Sequence, residues 1–271
     1  MITVVLNAFK RLEYLDHQIK AINNQSVKPS EIIVWQNGSS ERKIPKLENG
    51  IKHIYSSYNF GVWSRFSAAL NSKSEFICVF DDDTIPGKNW IKNCLQTMEE
   101  YNGLLGSRGV RFASKKKYLV GQEFGWSNPP DKVEKVDIVG HSWFFKREWL
   151  SYFWRELPNF NKFSMVGEDI HFSYILQKYL GLNTYVPPHP KNDKTMWGSD
   201  KDLAIKIGTD KFAISYDELR LKEMDECLQQ YIDKGFHLNF LKDLELKGIY
   251  LDKKIKIGKY IKKIIKYDKE N

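Results

Sequence analysis

The chain is poor in cysteine and has no long apolar run. Its 271 residues include three cysteines, at positions 78, 94 and 227, and their spacings match neither a disulfide framework nor a zinc site. No segment approaches the roughly 20 apolar residues of a membrane span, and the apolar run 2–6 is too short for a signal peptide. These absences predict a cytoplasmic protein whose membrane contact, if any, is peripheral.

Glycine is also missing where one class of nucleotide-binding enzyme needs it. Nucleotidyltransferases normally carry a glycine-rich loop after the first strand, which brings backbone amides onto a triphosphate. Here the corresponding loop, residues 7–11, reads Asn-Ala-Phe-Lys-Arg. A sugar-nucleotide nucleotidyltransferase therefore remains only an alternative to the function inferred below.

The charge is positive but unevenly distributed. The sequence has 42 Lys and Arg against 34 Asp and Glu, a formal charge of +8, and eight of the lysines lie between Lys253 and Lys269. A positive protein attracts phosphate-bearing partners. A basic nucleic-acid-binding protein is thus a second alternative, but most aromatic residues follow strand or helix patterns rather than interleaving with lysines. We expect no nucleic-acid partner.

The lysine-rich end predicts an amphipathic helix. Its apolar positions recur at helical spacing and are flanked by lysines; they are Ile257, Tyr260, Ile261, Ile264 and Ile265. Such a helix can lie on an anionic membrane surface or dock on its own domain, and the pattern leaves both interpretations open.

Strands alternate with helices through the first hundred residues. Apolar runs predict strands at 2–6, 31–35, 53–55 and 76–80, with helices at 12–22, 63–70 and 86–100 between and after them. This alternation is typical of a mostly parallel central sheet flanked by helices.

The second half is less regular. It predicts strands near 104–112, 117–123, 133–138 and 184–186, a helix that begins near 146 and another at 169–180. The chain becomes charged and helical after residue 212. We therefore expect a catalytic domain at 1–212 and a helical C-terminal appendage at 213–271.

Three consecutive carboxylates, Asp81, Asp82 and Asp83, follow the most apolar predicted strand. Ligands of open parallel sheets bind beyond the carboxyl ends of the strands, which is where these residues are expected. Three neighbouring negative charges repel one another, and a divalent cation with oxygen ligands, Mn²⁺ or Mg²⁺, offsets them. The alternative is an Asp-rich turn that caps the following helix, although a cap needs only one Asp.

These segments resemble the family 2 glycosyltransferases of GT-A fold. The run Phe-Ile-Cys-Val-Phe-Asp-Asp-Asp-Thr-Ile-Pro at 76–86 is similar to the family's strand and DxD motif. Residues 2–11 and 31–39 resemble its first two strands and the turns that follow, and Asn59-Phe-Gly-Val-Trp-Ser-Arg65 resembles its Asn-x-Gly segment with a basic residue. The likeness covers residues 1 to about 190.

The resemblance implies a donor site for a nucleotide sugar (UDP-, GDP- or dTDP-linked) and an acceptor hydroxyl on a glycan. Asp81 would face the donor ribose or a metal-bound water, and Asp83 would ligate the metal together with Asp81. Gln36 stands where the family commonly has an Asp that reads the base. The donor-binding residues implied are Asn7, Phe9, Arg11, Gln36, Asn37, Arg65, Asp81, Asp82 and Trp143.

A second acidic pair, Glu168 and Asp169, resembles the family's Glu-Asp pair at a helix start. There the Asp removes the proton of the acceptor hydroxyl, which requires a carboxylate within hydrogen-bond reach. One base and in-line attack imply inversion at the anomeric carbon. Acidic residues in a first helical turn are also ordinary helix stabilisers, which is the alternative for this pair.

Three further roles remain open at this stage. Trp143, in a segment that resembles the family's acceptor loop, would stack on a sugar ring or belong to the core. Arg65 would reach a phosphate or form a surface ion pair. His189 follows the last predicted strand, where some GT-A enzymes place a histidine ligand of the metal.

Overall fold

The computed structural model describes residues 1–38, 44, 46–208 and 217–239. Its strands, all of three to seven residues, are β1 (Ile2–Ala8), β2 (Glu31–Asn37), β3 (Ile51–Ser56), β4 (Phe76–Phe80), β5 (Gly103–Leu105), β6 (Arg108–Phe112), β7 (Gly121–Gly125), β8 (Glu134–Val136), β9 (Ile138–Gly140), β10 (Ser142–Lys146) and β11 (Asn183–Val186). Its α-helices are α1 (Leu15–Asn23), α2 (Ser64–Ala69), α3 (Trp90–Glu100), α4 (Leu150–Phe153), α5 (Phe160–Phe163), α6 (Glu168–Leu180), α7 (Lys201–Gly208) and α8 (Glu218–Asp233).

The central sheet has eight strands in the order β3-β2-β1-β4-β10-β5-β11-β8. Strands β1 to β4 are parallel neighbours, and β5 and β11 run in the same direction. Only β10 and β8 run the opposite way. The expected mostly parallel sheet flanked by helices is therefore confirmed.

The middle of this sheet is covered on both faces. Residues 77–80 of β4 are fully buried, as are Val4, Val5 and Leu6 of β1. A strand buried on both faces reads as a continuous apolar run. That is why the sequence locates β4 and β1 so clearly.

The second half of the chain divides between two sheets. The single strand expected at 104–112 is broken at Gly106, so that β5 joins the central sheet while β6 pairs with β7 and β9 in a three-stranded sheet. The segment 140–145 resembles a loop of the family, but from Ser142 onward it forms β10, antiparallel to β4. The helix expected near 146 begins as a 3₁₀ turn at 147–149 and continues as α4.

Helix α8 packs against α6 in a second apolar cluster. Cys227, Leu228 and Tyr231 of α8 are buried there with Ile170 and Tyr174 of α6. The domain boundary expected at 212 and the lysine-rich stripe at 257–265 lie outside the described residues. Within the described part of the chain, no helix combines the length and apolar composition that crossing a membrane requires.

Candidate active site

The carboxyl ends of β1, β2 and β4 form one edge of the central sheet, and the Asp81-Asp82-Asp83 run lies there, directly after β4. Gln18 of α1 donates hydrogen bonds to the carbonyl oxygens of Asp81 and Thr84. These bonds fix the backbone on both sides of the acidic run. The run is thus a defined turn in contact with α1.

Arg11, from the segment after β1, neutralises part of this charge. Its Nη1 lies 2.7 Å from Oδ1 of Asp82 and 3.8 Å from Oδ2 of Asp83. Burial and the neighbouring Asp83 still raise the pKa of Asp82 to about 6. The structure therefore brings Arg11 and Asp82 together, as expected, but as an ion pair within the protein.

Arg65 of α2 connects the two acidic parts of the site. Its guanidinium pairs with Asp81, and its Nη2 lies 3.8 Å from Oε1 of Glu168. Burial disfavours the charged guanidinium, but these carboxylates outweigh burial and raise the pKa of Arg65. Arg65 is buried rather than part of a surface ion pair, so it holds the DxD turn and the start of α6 close to one another.

Asp81, Asp83 and His141 form a group that suits a metal ion. One ligand atom from each lies within 4.8 Å of the others, and Nδ1 of His141 is 3.5 Å from Oδ1 of Asp83. Burial raises the pKa of Asp83, but the contact with His141 and the charge of Arg11 outweigh it and lower that pKa. Two carboxylate oxygens and an imidazole nitrogen are donors that Mn²⁺ accepts. The residues present therefore fit the expected cation.

His141 takes an unusual backbone conformation to reach this position. Among the non-glycine residues that the structure describes, it alone has a positive φ, of 63°. The left-handed conformation costs a non-glycine residue about 1–2 kcal/mol. Its carbonyl accepts a hydrogen bond from the Asp81 amide at 3.0 Å. Such strain is found at functional sites more often than elsewhere.

His189 does not take part in the group, which corrects the ligand role expected for it. It is fully buried, and both ring nitrogens have partners: Nδ1 donates to the Pro187 carbonyl at 2.8 Å, and Nε2 accepts from the Gly198 amide at 3.1 Å. A nitrogen that already accepts a hydrogen bond has no lone pair for a metal. The histidine in the group that suits a metal ion is His141.

Trp143 belongs to the core, which was one of the two interpretations left open. It lies on β10 and is 1% exposed. Its ring packs edge-on against Phe66, with the guanidinium of Arg65 5.1 Å from the ring centroid. Trp143 therefore packs against the guanidinium of Arg65, and neither face of its ring is open to a sugar in this conformation.

The last two residues of β2, Gln36 and Asn37, are buried and hydrogen-bonded within the protein. The Oε1 atom of Gln36 lies 3.0 Å from Nε2 of His53. Asn37 accepts from the Phe60 amide at 2.9 Å and donates to the Gly61 carbonyl at 3.0 Å. These contacts fix the Asn-x-Gly segment beside β2, so Asn37 shapes the edge of the site.

Asn7 and Phe9 are partly exposed at the end of β1. Asn7 lies beside Trp35 in the parallel pair β1–β2, and the ammonium of Lys10 is 5.1 Å from the ring centroid of Phe9. Both residues remain accessible at the sheet edge that carries the acidic run.

Glu168 and Asp169 begin α6 after Gly167, whose φ is +90°. Both side chains are buried. Burial raises the pKa of Glu168 to about 8 despite the opposing charge of Arg65, and Asp169 and Asp81 contribute to the rise. Burial also raises the pKa of Asp169, whose oxygens accept hydrogen bonds from the Tyr118 hydroxyl and from the Ile170 amide at 2.7 Å. Burial therefore disfavours the charged form of both carboxyls, and the positive charge of Arg65 opposes this effect at each of them.

Sequence reasoning missed His141 and Tyr118. His141 follows the glycine of the 140–145 segment, where only Trp143 drew attention. Tyr118 lies in the loop between β6 and β7, and 51 positions separate it from Asp169. No local pattern marks either one, because each acquires its role through a contact between distant segments.

The sequence of this chain is similar to known glycosyltransferases. An uncharacterized glycosyltransferase of Haemophilus influenzae is 27% identical over 142 residues, which cover 48% of this chain and 44% of that protein. The chain thus spans less than half of that relative. Two structures also resemble this chain: the crystal structure of S. aureus TarS 1-349 and that of TarS 1-349 in complex with UDP-GlcNAc. Each is 15% identical to this chain, with a TM-score of 0.47. Each match covers 91% of this chain, and the matches cover 74% and 75% of the two TarS chains, respectively.

The family match spans residues 3–173 of the 271 in the chain. This range contains β1, β2, β4, the acidic run, His141 and the Glu168–Asp169 pair. Both the metal-compatible group and the candidate base therefore fall within the matched region. The chain belongs to glycosyl transferase family 2.

Proposed function

We propose that this protein transfers a hexosyl or deoxyhexosyl group from a nucleoside-diphosphate sugar to an acceptor hydroxyl, with inversion at the anomeric carbon. The observation that carries the proposal is the grouping of Asp81, Asp83 and His141 at the carboxyl edge of the sheet. Family membership supports glycosyl transfer, and open α/β sheets bind ligands at this edge.

Asp81, Asp83 and His141 would hold Mn²⁺ or Mg²⁺. Bound there, the cation would neutralise the diphosphate and stabilise the charge that develops on it as the sugar departs. Asp81 already pairs with Arg65 and Asp83 lies near Arg11. These two arginines supply fixed positive charge on either side of the acidic run.

Asp169 is the proposed general base. It needs to be ionised to take the hydroxyl proton of the acceptor, and the two hydrogen bonds it accepts favour the ionised form. Glu168, with its pKa near 8, holds the proton of the pair near neutral pH. Arg65 contacts Glu168 and Asp81, which keeps the base-bearing helix close to the donor side of the site.

The donor site would be completed by accessible residues at the ends of β1 and β2. Asn7 and Phe9 lie at this edge, and Gln36 and Asn37 shape the floor where the base of a UDP-, GDP- or dTDP-sugar would rest. An amide side chain both donates and accepts hydrogen bonds, so Gln36 suits more than one base.

A thermal-shift screen tests the proposal. The protein is mixed with UDP-, GDP- and dTDP-sugars with and without Mn²⁺, and at least one combination should raise Tm only when both components are present. The Asp83→Ala variant should lose this response, whereas Asp131→Ala, which removes an exposed carboxylate between β7 and β8, should keep it. A response of equal size in Asp83→Ala would contradict the proposed site.

A further inference from the structure

Tyr118 lies in the loop between β6 and β7 and reaches across to the start of α6. Its hydroxyl donates to Oδ2 of Asp169. The ring packs on Phe112, with their centroids 5.5 Å apart. Phe112 thus packs against the phenol ring, and the phenol hydroxyl donates to the carboxylate of Asp169.

Helix α8 anchors this loop. The Tyr118 amide donates to Oδ1 of Asp225 at 2.8 Å, and the Lys117 ammonium lies 2.7 Å from Oδ2 of the same side chain. One carboxylate of α8 therefore fixes two successive residues of the loop. Because α8 also packs on α6, this carboxylate fixes the backbone of Tyr118 relative to α6.

A second contact brings α8 to the same place. A Cβ atom on Gly167 would lie 2.3 Å from Sγ of Cys227. Gly167 is the residue before Glu168 and Asp169, and its φ of +90° is one that a side chain disfavours. Helix α8, which anchors Tyr118, thus also packs directly on Gly167, the residue before α6.

We propose that Tyr118 is a positioning residue for Asp169 and that Asp225 of α8 holds it in place. The proposal rests on the proposed function, in which Asp169 is the base. Asp225 lies beyond the matched region, 3–173. A part of the chain that the family match does not reach would therefore complete the catalytic apparatus.

The geometry explains what Tyr118 contributes. The Ile170 amide fixes one oxygen of Asp169, and the Tyr118 hydroxyl fixes the other, so the carboxylate cannot rotate. Each oxygen keeps a further lone pair, which an acceptor hydroxyl can meet. Both bonds are made to a charged acceptor, and such bonds stabilise the ionised form that a base requires.

Other groups also face Asp169, and the test has to separate them from Tyr118. They come from three helices and differ in charge: Glu168 of α6, Arg65 of α2, and Cys227 and Tyr231 of α8. None of them is altered when the Tyr118 hydroxyl alone is removed.

The first experiment is carried out on the protein without ligand. The Cγ resonance of Asp169 is assigned by its loss in Asp169→Asn and is followed against pH in protein labelled with ¹³C-aspartate. Tyr118→Phe should raise the midpoint by about one pH unit, because a bond to the ionised form is lost. Tyr231→Phe is the matched control: it removes a buried phenolic hydroxyl that contacts His171, and it should leave the midpoint within a few tenths of a unit.

The second experiment measures release of nucleoside diphosphate with Mn²⁺, from whichever UDP-, GDP- or dTDP-sugar the wild type turns over fastest. Tyr118→Phe and Asp225→Ala should each lower kcat about tenfold, with KM for the sugar nucleotide unchanged. The double variant should be no slower than Tyr118→Phe, because both changes remove one interaction. Glu223→Ala, which breaks an ion pair with Arg220 on the same helix, should match the wild type.

Each outcome decides between the two proposals. If Asp169→Asn releases nucleoside diphosphate at the wild-type rate, the proposed base is wrong and the role of Tyr118 falls with it. If Asp169→Asn is inactive while Tyr118→Phe retains both the wild-type titration and the wild-type rate, only the role of Tyr118 is overturned. Additive losses in the double variant overturn the assignment to Asp225.

Discussion

Nδ1 of His141 lies 3.5 Å from Oδ1 of Asp83, although the two residues belong to segments that are 58 positions apart. The contact exists because β10 runs antiparallel beside β4 and begins where β4 ends. It joins an imidazole to the acidic run. The first prediction follows from this contact.

Replacing His141 with Ala should weaken Mn²⁺ binding at least about tenfold, because the group loses its only nitrogen donor. Isothermal titration of the protein with MnCl₂ measures the change. His189→Gln is the control: its affinity for Mn²⁺ should equal that of the wild type. Equal affinities in His141→Ala and the wild type would remove His141 from the metal site.

Asp169→Asn should bind the donor normally but transfer sugar roughly 10²–10⁴ times more slowly, because an amide cannot accept the hydroxyl proton. Donor binding is followed by the Tm shift with Mn²⁺, and transfer by release of nucleoside diphosphate. Asp137→Asn replaces another buried carboxyl, one that accepts from the Phe112 amide, and serves as the control. A normal rate in Asp169→Asn would assign the base elsewhere.

Arg65→Met should destabilise the protein by about 3–5 kcal/mol, since it leaves the partly buried Asp81 and the buried Glu168 without their counter-charge. Urea unfolding at pH 7 measures the loss. Addition of Mn²⁺ should restore part of it, because ligand binding stabilises the folded state. Arg220→Met breaks a partly exposed pair with Glu223 and should cost less than about 1 kcal/mol. Similar losses in the two variants would argue against the role of Arg65.

The stability that the buried histidines His171 and His189 contribute should fall as the pH drops from about 6.5 to 4, whereas protonation of Asp82, whose pKa burial raises to about 6, acts in the opposite direction. Burial lowers the pKa of both His171 and His189 to about 4, so the unfolded chain binds protons that the folded protein excludes. Their contribution is complete above pH 6.5 and is lost progressively below it, by roughly 3 kcal/mol for each histidine at most. Between pH 6.5 and 4, His189→Gln should therefore retain more of its unfolding free energy than the wild type does, whereas replacement of the exposed His17 should leave the pH dependence unchanged. An unchanged slope in His189→Gln would contradict the buried neutral state.

Gly167→Ala should destabilise the protein more than Gly181→Ala. Both glycines have positive φ values, which cost an alanine about 1–2 kcal/mol. At Gly181 nothing lies near the added carbon, but at Gly167 it would meet Sγ of Cys227 at 2.3 Å. Urea unfolding measures the loss of unfolding free energy in each variant: Gly181→Ala reports backbone strain alone, and Gly167→Ala reports backbone strain together with the steric overlap. Equal losses would mean that α8 moves away freely.

The first half of the fold was predictable because β1, β2 and β4 are buried on both faces and amphipathic helices follow β1 and β4. The strand at 76–80 was predicted to the residue, and α6 begins at Glu168, one position before the expected start. The second half was harder. Residues 103–112 and 134–140 each change sheet after three residues, and a strand that short leaves too few positions for a period to show.

The candidate site was predictable to the extent that it follows from strand ends. In a parallel sheet the residues after β1, β2 and β4 reach the same edge, so Arg11, Asn37 and Asp81 could be grouped in advance. Trp143 and His141 could not be sorted, because their positions depend on β10 being a strand, and the burial of His189 depends on the segments that fold around it after β11. A histidine in a loop and one in the core look alike until the neighbouring segments are in place.

The hydrogen bond between the Asp81 amide and the His141 carbonyl links the residue after β4 to the residue before β10, so that the two cannot move independently. A deletion or insertion at His141, the residue between β9 and β10, would displace an oxygen donor and a nitrogen donor together. Evolution of the cation preference in such a protein would therefore proceed by side-chain exchange at these positions, with the length of the connection held constant.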